Sequence, residues 1–238
     1  MIAAIITAAG KGTRLKSNIS KQFIQINGKP LLAHTIKSFQ ESSRVNSIYL
    51  AVPAEYEDYC SKEIVKKYSF TKVKALIHGG ELRQESVFNA LKAVPQNCKI
   101  VAVHDGVRPL ITSAEIDMLI SSLIKFNKID KNVRGVLTAA PAYETVKKID
   151  DYGVIDRTIK RSNVCMAQTP QVFFYRDLML AYEKAIEDNY TGTDDSGLVE
   201  RMGLKVKVVI GRHENIKITT PLDLFLAELI MGRDGKGK

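Results

Sequence analysis

A glycine loop with several basic residues directly follows a mostly apolar segment at the start of the chain. Residues 2–7 read IAAIIT, and residues 8–21 read AAGKGTRLKSNISK. When a β-strand runs into such a loop, backbone N–H groups can approach a phosphate closely. Basic side chains add charge that neutralises a triphosphate or its transition state, and this loop supplies Lys11, Arg14, Lys16 and Lys21. The order of these features predicts a protein that handles nucleotides.

The loop fits neither of two familiar phosphate-binding patterns. A P-loop needs G-x-x-x-x-G-K-[ST], and a dinucleotide-binding loop needs G-x-G-x-x-G. Counted from Gly10, each pattern requires a glycine at the position that Leu15 occupies. The sequence therefore supports neither a P-loop kinase nor a nicotinamide enzyme. The glycines taken alone are equally compatible with a solvated turn.

Two further segments place polar residues directly after predicted strands. Residues 78–86 (HGGELRQES) open a helix, so that their glycines and Ser86 can contact a base or ribose; a structural turn is the alternative. Residues 103–109 (VHDGVRP) put Asp105 at a strand end, three residues before Arg108. A carboxylate there can face a magnesium ion that bridges phosphates. It can equally cap a helix or form an ion pair with Arg108.

Two polar segments lie nearer the end of the chain. Residues 168–171 (QTPQ) predict a polar turn. Residues 215–221 (NIKITTP) put Lys217 between two isoleucines, ahead of a helix for which Thr220 is the predicted cap. The pattern leaves open whether Lys217 projects inward toward the site or is an exposed strand lysine.

Composition favours small anionic ligands over nucleic acid. The chain has 238 residues, a hydrophobic fraction of 45% and a formal net charge of +9. Much of the basic excess is spread along predicted helix faces, and no aromatic-basic alternation suggests a platform for single-stranded nucleic acid. Phosphorylated small molecules explain the charge with the fewest assumptions.

No segment predicts a membrane span, a disulfide framework or a zinc site. Residues 1–9 are apolar but too short to cross a bilayer, and they lack a basic n-region. The three cysteines and four histidines are scattered without metal-ligand spacing. We expect a soluble, cytoplasmic protein with reduced thiols.

Strand and helix patterns alternate along the chain, which predicts an α/β domain with a mostly parallel sheet covered on both faces. The predicted strands are 2–8, 47–52, 73–77, 100–104, 134–140 and 206–210. The predicted helices are 30–41, 55–68, 84–94, 113–126, 176–188, 194–202 and 221–231. Pro30 and Ser113 are the predicted start signals of two of them. Because ligands of such sheets bind beyond the carboxyl ends of the strands, the loops after residues 8 and 104 should share one edge.

Taken together, these segments resemble the 2-C-methyl-D-erythritol 4-phosphate cytidylyltransferases, within the wider group of sugar- and polyol-phosphate nucleotidyltransferases. The resemblance runs in order from Ile2 to about Leu229, and its specificity comes from the order and spacing of short segments that would be unremarkable singly. They are AAGKGTR at 8–14, KQF at 21–23, GGELRQESV at 79–87, VHDGVRP at 103–109, ETVKK at 144–148, IKR at 159–161, QTPQ at 168–171, TDDSGLVERMG at 193–203 and NIKIT at 215–219.

The resemblance implies one Rossmann-like domain of the nucleotide-diphospho-sugar transferase type over residues 1–231, with a mostly parallel twisted sheet. We expect a flexible tail at 232–238. It implies a projecting β-arm at about 141–163 that pairs two subunits into a homodimer. It also implies a reaction in which a cytidylyl group passes from CTP to 2-C-methyl-D-erythritol 4-phosphate. The products are CDP-methylerythritol and pyrophosphate, Mg²⁺ is the cofactor, and the step belongs to isoprenoid precursor synthesis.

Roles for individual residues follow from the same resemblance. The implied catalytic residues are Arg14, Lys21, Asp105 and Lys217, with Asp105 near the magnesium ion. The implied CTP-binding residues are Ala8, Ala9, Gly10, Gly12, Gly80, Arg83, Ser86 and Gly106. The implied contacts to the acceptor substrate are Arg108, Thr145, Arg161, Thr169 and Thr193, and of these Thr145 and Arg161 reach across the dimer.

The sequence departs from the family pattern at a few positions, and other activities stay open. Gly106 stands where alanine is common, residues 143–145 (YET) replace a basic-Asp-Thr run, and residues 165–166 (CM) stand where an aromatic residue is frequent. A ribitol-5-phosphate cytidylyltransferase shares the glycine loop, QTPQ and NIKIT. A non-catalytic nucleotide-binding regulator would be expected to lose one of the charged positions. A glycosyltransferase would usually carry D-x-D where residues 104–106 read HDG.

We predict that Arg14→Ala and Lys21→Ala each lower kcat more than they raise KM. Their contacts should strengthen as negative charge moves onto the leaving group, so the loss falls mainly on the transition state. A loss of roughly 10²-fold or more is expected, as for removal of one oxyanion-stabilising donor. Steady-state kinetics of the folded variants measures it, and near-wild-type turnover in either variant would refute the role.

Overall fold

The computed structural model describes residues 1–10 and 20–234, and in this part of the chain strands and helices alternate as the sequence predicts. The strands are β1 (Ile2–Thr7), β2 (Gln25–Ile26), β3 (Lys29–Pro30), β4 (Ser47–Val52), β5 (Val73–His78), β6 (Ile100–Asp105), β7 (Val133–Pro141), β8 (Val146–Ile149), β9 (Ile155–Ile159), β10 (Cys165–Phe174) and β11 (Lys205–Ile210). The helices are α1 (Leu31–Glu41), α2 (Glu57–Tyr59), α3 (Arg83–Ala93), α4 (Ser113–Ile129), α5 (Tyr175–Glu187), α6 (Asp195–Arg201) and α7 (Pro221–Asp234). Among these described helices, none combines the length and the apolar character needed to cross a membrane.

Seven strands form the central sheet in the order β11–β7–β10–β6–β1–β4–β5. β1 pairs in parallel with β4 and β6, β4 with β5, and β7 with β11, whereas β10 is antiparallel to both of its neighbours. The predicted mostly parallel α/β sheet is therefore confirmed. From β1 the chain first adds β4 and β5 on one side and then returns to β6 on the other. The order thus reverses between β1 and β6, where open α/β sheets bind their ligands.

Both faces of the sheet are covered, because its inner strands are apolar on both sides. In β1, Ala4 and Ile6 pack into one core with α1 and α4, while Ala3 and Ile5 pack into a second core with α3, α5 and α6. All four side chains are fully buried. Alternate residues of a strand point to opposite faces, so a continuous apolar run places the strand between two helical layers.

A third, smaller cluster attaches α7 to the edge of the domain. Its buried members include Ile26 beside β3, Leu110 after β6, and Ile218 and Ala227 on the C-terminal segment. Thr220 accepts a hydrogen bond from the backbone N–H of Asp223, at 3.2 Å, as the predicted cap of α7. This packing fixes the segment that carries Lys217.

The structure corrects three details of the sequence prediction. The QTPQ segment is not a turn: it lies within β10, where the register with β7 shifts between Ala167 and Gln171. The helix predicted at 55–68 is a succession of 3₁₀, α and π turns from Ala54 to Lys66. The cap of α4 is Thr112, one residue before the predicted Ser113, and it forms a reciprocal capping box with Glu115.

The segment predicted as an arm contains a β-hairpin outside the main sheet. β8 and β9 pair with each other as a two-stranded antiparallel sheet. Several of its apolar side chains are exposed to solvent, including Ile149 and Ile155, and Tyr152, at the turn, is 93% exposed. A hairpin of this kind has no core of its own.

Candidate active site

The carboxyl ends of β1 and β6 lie side by side, because Thr7 pairs with Asp105 in the parallel register. A cavity of about 230 Å³, the first cavity, opens there between the loops that follow β1 and β5. Its lining contains many of the residues predicted to bind CTP or to act in catalysis. These are Ala8, Ala9, Gly10, Lys21, Gly80, Arg83, Ser86, Asp105 and Lys217.

A second cavity, of about 290 Å³, lies beside the first at the irregular part of β10. Arg108, Thr169 and Thr193 line it, and all three were predicted to contact the acceptor substrate. Arg83, Asp105 and Lys217 line both cavities, and we call these three residues the shared wall. Two neighbouring cavities with a charged common wall can hold two anionic ligands close to each other.

Asp105 is the centre of the shared wall, and three cations surround its carboxylate. Arg83 Nε donates to Oδ1 at 3.0 Å, Lys217 Nζ lies 2.9 Å from Oδ2, and Arg108 Nε lies 3.5 Å from Oδ2. Burial alone would raise the pKa of Asp105, but the charges of these three residues outweigh it and hold the pKa well below its usual range. Asp105 is therefore ionised at any physiological pH.

Arg83 joins Asp105 to a second buried carboxylate. Its Nη1 and Nη2 donate to the two oxygens of Asp195, at 3.1 and 2.8 Å, while its Nε donates to Asp105. Burial opposes its charge, but Asp195 and then Asp105 raise the pKa of Arg83 well above its ordinary value. The predicted role of Arg83 was a contact with cytosine or ribose. In the structure all three of its guanidinium nitrogens are directed to carboxylates.

The loop after β5 packs tightly against the loop after β1. A Cβ atom added at Gly79 would lie 2.1 Å from the Cβ of Ala9, so only glycine allows this approach. In the same loop the backbone N–H of Gly80 donates to Ser86 Oγ at 3.0 Å, and that hydroxyl donates to the carbonyl of Leu82 at 3.1 Å. Gly79 and Gly80 thus shape one side of the first cavity.

A buried histidine fixes the hydroxyl of Thr169. His104 Nε2 lies 3.2 Å from the carbonyl oxygen of Arg108, and its Nδ1 lies 3.0 Å from Thr169 Oγ1. Since a carbonyl oxygen only accepts, the network assigns the proton to Nε2. Thr169 Oγ1 also accepts from the backbone N–H of Asp105 at 3.0 Å. Burial lowers the pKa of His104 to about 4, so its ring is neutral near pH 7.

Lys217 projects toward the site, which is the first of the two interpretations that its sequence pattern left open. The backbone N–H of Ile218 donates to the carbonyl of Val107 at 2.9 Å, and Ile218 is buried against α7. On the other side Arg108 Nη1 donates to the carbonyl of Asn215 at 2.8 Å. The segment is anchored on both sides of Lys217, which directs its side chain to Asp105. It is a loop and not a strand.

Several predicted site residues do not meet at these cavities. Arg14 and Gly12 lie outside the described residues. Gly106 lines neither cavity, and its N–H donates to the carbonyl of Thr7 at 2.8 Å, which joins two strand ends. Thr145 and Arg161 line neither cavity of their own chain, and Arg161 Nη1 donates to the carbonyl of Tyr143 at 2.6 Å.

Sequence reasoning missed the part of the site that lies behind Arg83. Asp195 is fully buried, and Tyr182 Oη donates to its Oδ1 at 2.5 Å. Next to it, Asp194 caps α6 by accepting from the N–H of Gly197 at 3.0 Å. The segment TDDSGLVERMG contains a sequence signal for this part of the site, since two adjacent acidic residues precede an apolar helix. The sequence analysis assigns a role in the site only to Thr193 of this segment. The partner of Asp195 on α3 could not be identified from spacing.

The comparisons with known proteins agree with this geometry. The sequence model of the family described as IspD, 2-C-methyl-D-erythritol 4-phosphate cytidylyltransferase, matches residues 2–233. The chain belongs to this family. A 2-C-methyl-D-erythritol 4-phosphate cytidylyltransferase of Clostridioides difficile is 41% identical over 234 residues, which cover 98% of this chain and 95% of the relative. A 2-C-methyl-D-erythritol 4-phosphate cytidylyltransferase of Syntrophus aciditrophicus is 40% identical over 233 residues, which cover 98% of this chain and 97% of the relative.

A solved structure gives the same result for the fold. The crystal structure of 4-diphosphocytidyl-2C-methyl-D-erythritol synthase from Anaerococcus prevotii superposes with a TM-score of 0.84 at 34% identity, over 98% of each chain. The cytidylyltransferase family predicted from the sequence is therefore confirmed, and with it the prediction of a nucleotidyltransferase enzyme. The roles assigned to single residues stay predictions.

The buried His104 predicts a pH dependence of stability. Its folded pKa of about 4 lies below the unfolded value of about 6.5, so between these values the unfolded state binds more protons. The stability from the neutral ring is complete above pH 6.5 and is lost as pH falls toward 4. Urea unfolding should show a slope of roughly 1 kcal/mol per pH unit near pH 5 from this residue. His104→Asn keeps an acceptor for Thr169 and should lose that slope; equal slopes would contradict the assignment.

Proposed function

We propose that the protein transfers the cytidylyl group of CTP to 2-C-methyl-D-erythritol 4-phosphate, giving CDP-methylerythritol and pyrophosphate. The observation that carries this proposal is the pair of cavities on opposite sides of the shared wall. CTP occupies the first cavity, and the polyol phosphate occupies the second. Named relatives at about 40% identity over nearly the whole chain support the choice of these substrates.

The charged side chains that line the two cavities suit anionic ligands. The basic ones are Lys21, Arg83, Arg108 and Lys217, and the acidic ones are Glu81, Asp105 and Asp194. The basic side chains can form charge-assisted hydrogen bonds with phosphate oxygens. Small anionic substrates also account for the net charge of +9, and the water-soluble CTP and polyol phosphate fit an enzyme of the cytoplasm.

The reaction needs no covalent enzyme intermediate. An oxygen of the acceptor's phosphate attacks the α-phosphorus of CTP, the new P–O bond forms, and the bond to the bridging oxygen breaks as pyrophosphate leaves. Catalysis of such a step comes from alignment of the two anions and neutralisation of the charge that develops. Lys217 faces the junction of the cavities, and Lys21 lies on the side of the glycine loop.

The acceptor can be tested directly. With CTP and Mg²⁺ present, we expect pyrophosphate release with 2-C-methyl-D-erythritol 4-phosphate at a kcat/KM well above that with ribitol 5-phosphate. A coupled phosphate assay measures both, and GTP in place of CTP is the control for nucleotide choice. A higher kcat/KM with ribitol phosphate would place the enzyme in another branch, and no release with either acceptor would overturn the proposed function.

We propose that Mg²⁺ enters with the triphosphate and that Asp105 is its protein ligand. Among the described residues, no group of three His, Cys, Asp or Glu side chains could hold a metal ion alone. This suits Mg²⁺, which proteins often bind through one or two carboxylates together with substrate phosphates. Asp105 is ionised and lines both cavities, and Mg²⁺ would share its carboxylate with the three cations that pair with it. When bound, the ion would neutralise phosphate charge.

Asp105→Asn tests this assignment. It keeps the size of the side chain but removes the charge that favours a cation, so the Mg²⁺ concentration that gives half-maximal rate should rise several-fold. Titration of the rate with Mg²⁺ at saturating CTP measures it. An unchanged half-saturating concentration of Mg²⁺ would mean that Asp105 forms ion pairs but does not bind the metal ion.

We propose further that the enzyme is a homodimer joined by the arm at 141–163. The hairpin of β8 and β9 is separate from the main sheet, and Tyr143, Ile149 and Ile155 expose most of their surface. An isologous contact with a second arm would cover these side chains. In that arrangement Thr145 and Arg161 reach the acceptor bound by the other subunit, and Arg161 offers a planar fork to its phosphate.

Mixing two inactive variants tests the exchange of residues between subunits. Lys21→Ala and Arg161→Ala remove residues on opposite sides of each proposed site, so a heterodimer has one site that lacks both and one that is intact. At equal amounts and random exchange, about a quarter of wild-type activity should return. Lys21→Ala mixed with Lys217→Ala is the control and should recover nothing, since both residues belong to the same subunit's site. A monomer by light scattering, or no recovery after proven exchange, would rule the arrangement out.

A further inference from the structure

Two buried residues behind the shared wall have no contact with either cavity. Asp195 is fully buried at the start of α6, and Tyr182, on α5, is 1% exposed. Neither lines the first or the second cavity. A buried carboxylate is costly unless it is paired, so its position between Tyr182 and Arg83 calls for an explanation.

The contacts form one continuous chain that ends in the site. Tyr182 donates to Asp195 at 2.5 Å, and Asp195 accepts two hydrogen bonds from Arg83. Arg83 donates to Asp105 at 3.0 Å, and Asp105 pairs with Lys217 at 2.9 Å. The first four members stand on α5, α6, α3 and β6, which are packed elements.

The bidentate pair with Asp195 fixes the direction of Arg83. Two parallel N–H···O bonds define the plane of a guanidinium, and the plane determines where Nε points. Without Asp195, Asp105 would be the remaining counter-charge of Arg83 in this chain of contacts, and its carboxylate would be drawn away from Lys217. The backbone of Lys217 is anchored, but its side chain is 39% exposed and pairs with Asp105 at 2.9 Å, so the position of its ammonium group is sensitive to this change.

We propose that Asp195 and Tyr182 are positioning residues that fix Arg83, through which Asp105 holds Lys217 at the junction of the two cavities. The effect that this proposal predicts on kcat rests on the proposed function, in which Lys217 lies at the α-phosphorus that the acceptor attacks. The alternative is that the buried pair only stabilises the fold.

The kinetics of a double-mutant cycle distinguish a positioning role of Asp195 from a purely stabilising one. Asp195→Asn should lower kcat by roughly 10- to 100-fold, the range seen when a residue that orients a metal ligand is removed, and should change the KM values for CTP and acceptor far less. In a Lys217→Ala background the same substitution should have little further effect, because its target is gone. Additive losses, or a change confined to KM, would overturn the proposal.

A milder variant guards against misfolding of Asp195→Asn. Tyr182→Phe keeps the ring, which stacks on Phe88 with 6.0 Å between centroids, and removes the bond to Asp195 alone. Tyr175→Phe is the matched control, since Tyr175 is a buried tyrosine of α5 whose hydroxyl donates to the carbonyl of Leu91 at 3.3 Å, away from the cavities. Both variants should lower Tm, but only Tyr182→Phe should lower kcat, by several-fold. Equal kcat in the two would overturn the proposal.

A readout without substrates distinguishes failure of this inference from failure of the proposed function. Acylation of Lys217 by an N-hydroxysuccinimide ester, followed by mass spectrometry, reports how well its ammonium group is paired. Asp195→Asn and Tyr182→Phe should raise the labelling rate of Lys217 several-fold, and Tyr175→Phe should leave it unchanged. If labelling does not respond, the chain of contacts does not position Lys217, whatever reaction the wild-type enzyme catalyses.

Discussion

The ionised carboxylate of Asp105 is the interaction on which the site depends. It is buried and would be unfavourable there without partners, and three cations from three different parts of the chain compensate it. Arg83 comes from the start of α3, Arg108 from the turn after β6, and Lys217 from the loop before α7. One negative charge therefore draws the segment of Lys217 to segments more than a hundred residues earlier in the chain, and it keeps Arg83 and Lys217 at the boundary of the two cavities.

The sheet explains why these segments can meet. Continuous apolar strands are covered on both faces, so the polar groups of the domain are left to the strand ends. The order of strands reverses between β1 and β6, and the first cavity lies at the carboxyl ends of these two strands. β10 runs the opposite way and brings Thr169 to the same edge from the other direction.

Most of the fold and much of the site can be predicted from the sequence, because their signals are local. The strands of the parallel part read as apolar runs, and Lys21, Asp105 and Lys217 stand in short segments whose order is specific. β10 escapes prediction because Pro170 and its polar neighbours interrupt the strand where the register shifts. Asp195 escapes because its partner Arg83 is 112 residues away, and no local pattern encodes that contact.

The network around His104 has a consequence for any molecule in the second cavity. The hydroxyl proton of Thr169 is directed to the bare Nδ1 of the ring, and one lone pair of its oxygen receives the N–H of Asp105. A hydroxyl has one proton and two lone pairs, so a single lone pair is left for a ligand. A hydroxyl group of the ligand can donate to it, whereas a bare phosphate oxygen would meet lone pair against lone pair. In the complex proposed above, this lone pair of Thr169 would favour a hydroxyl of the polyol phosphate over its phosphate group.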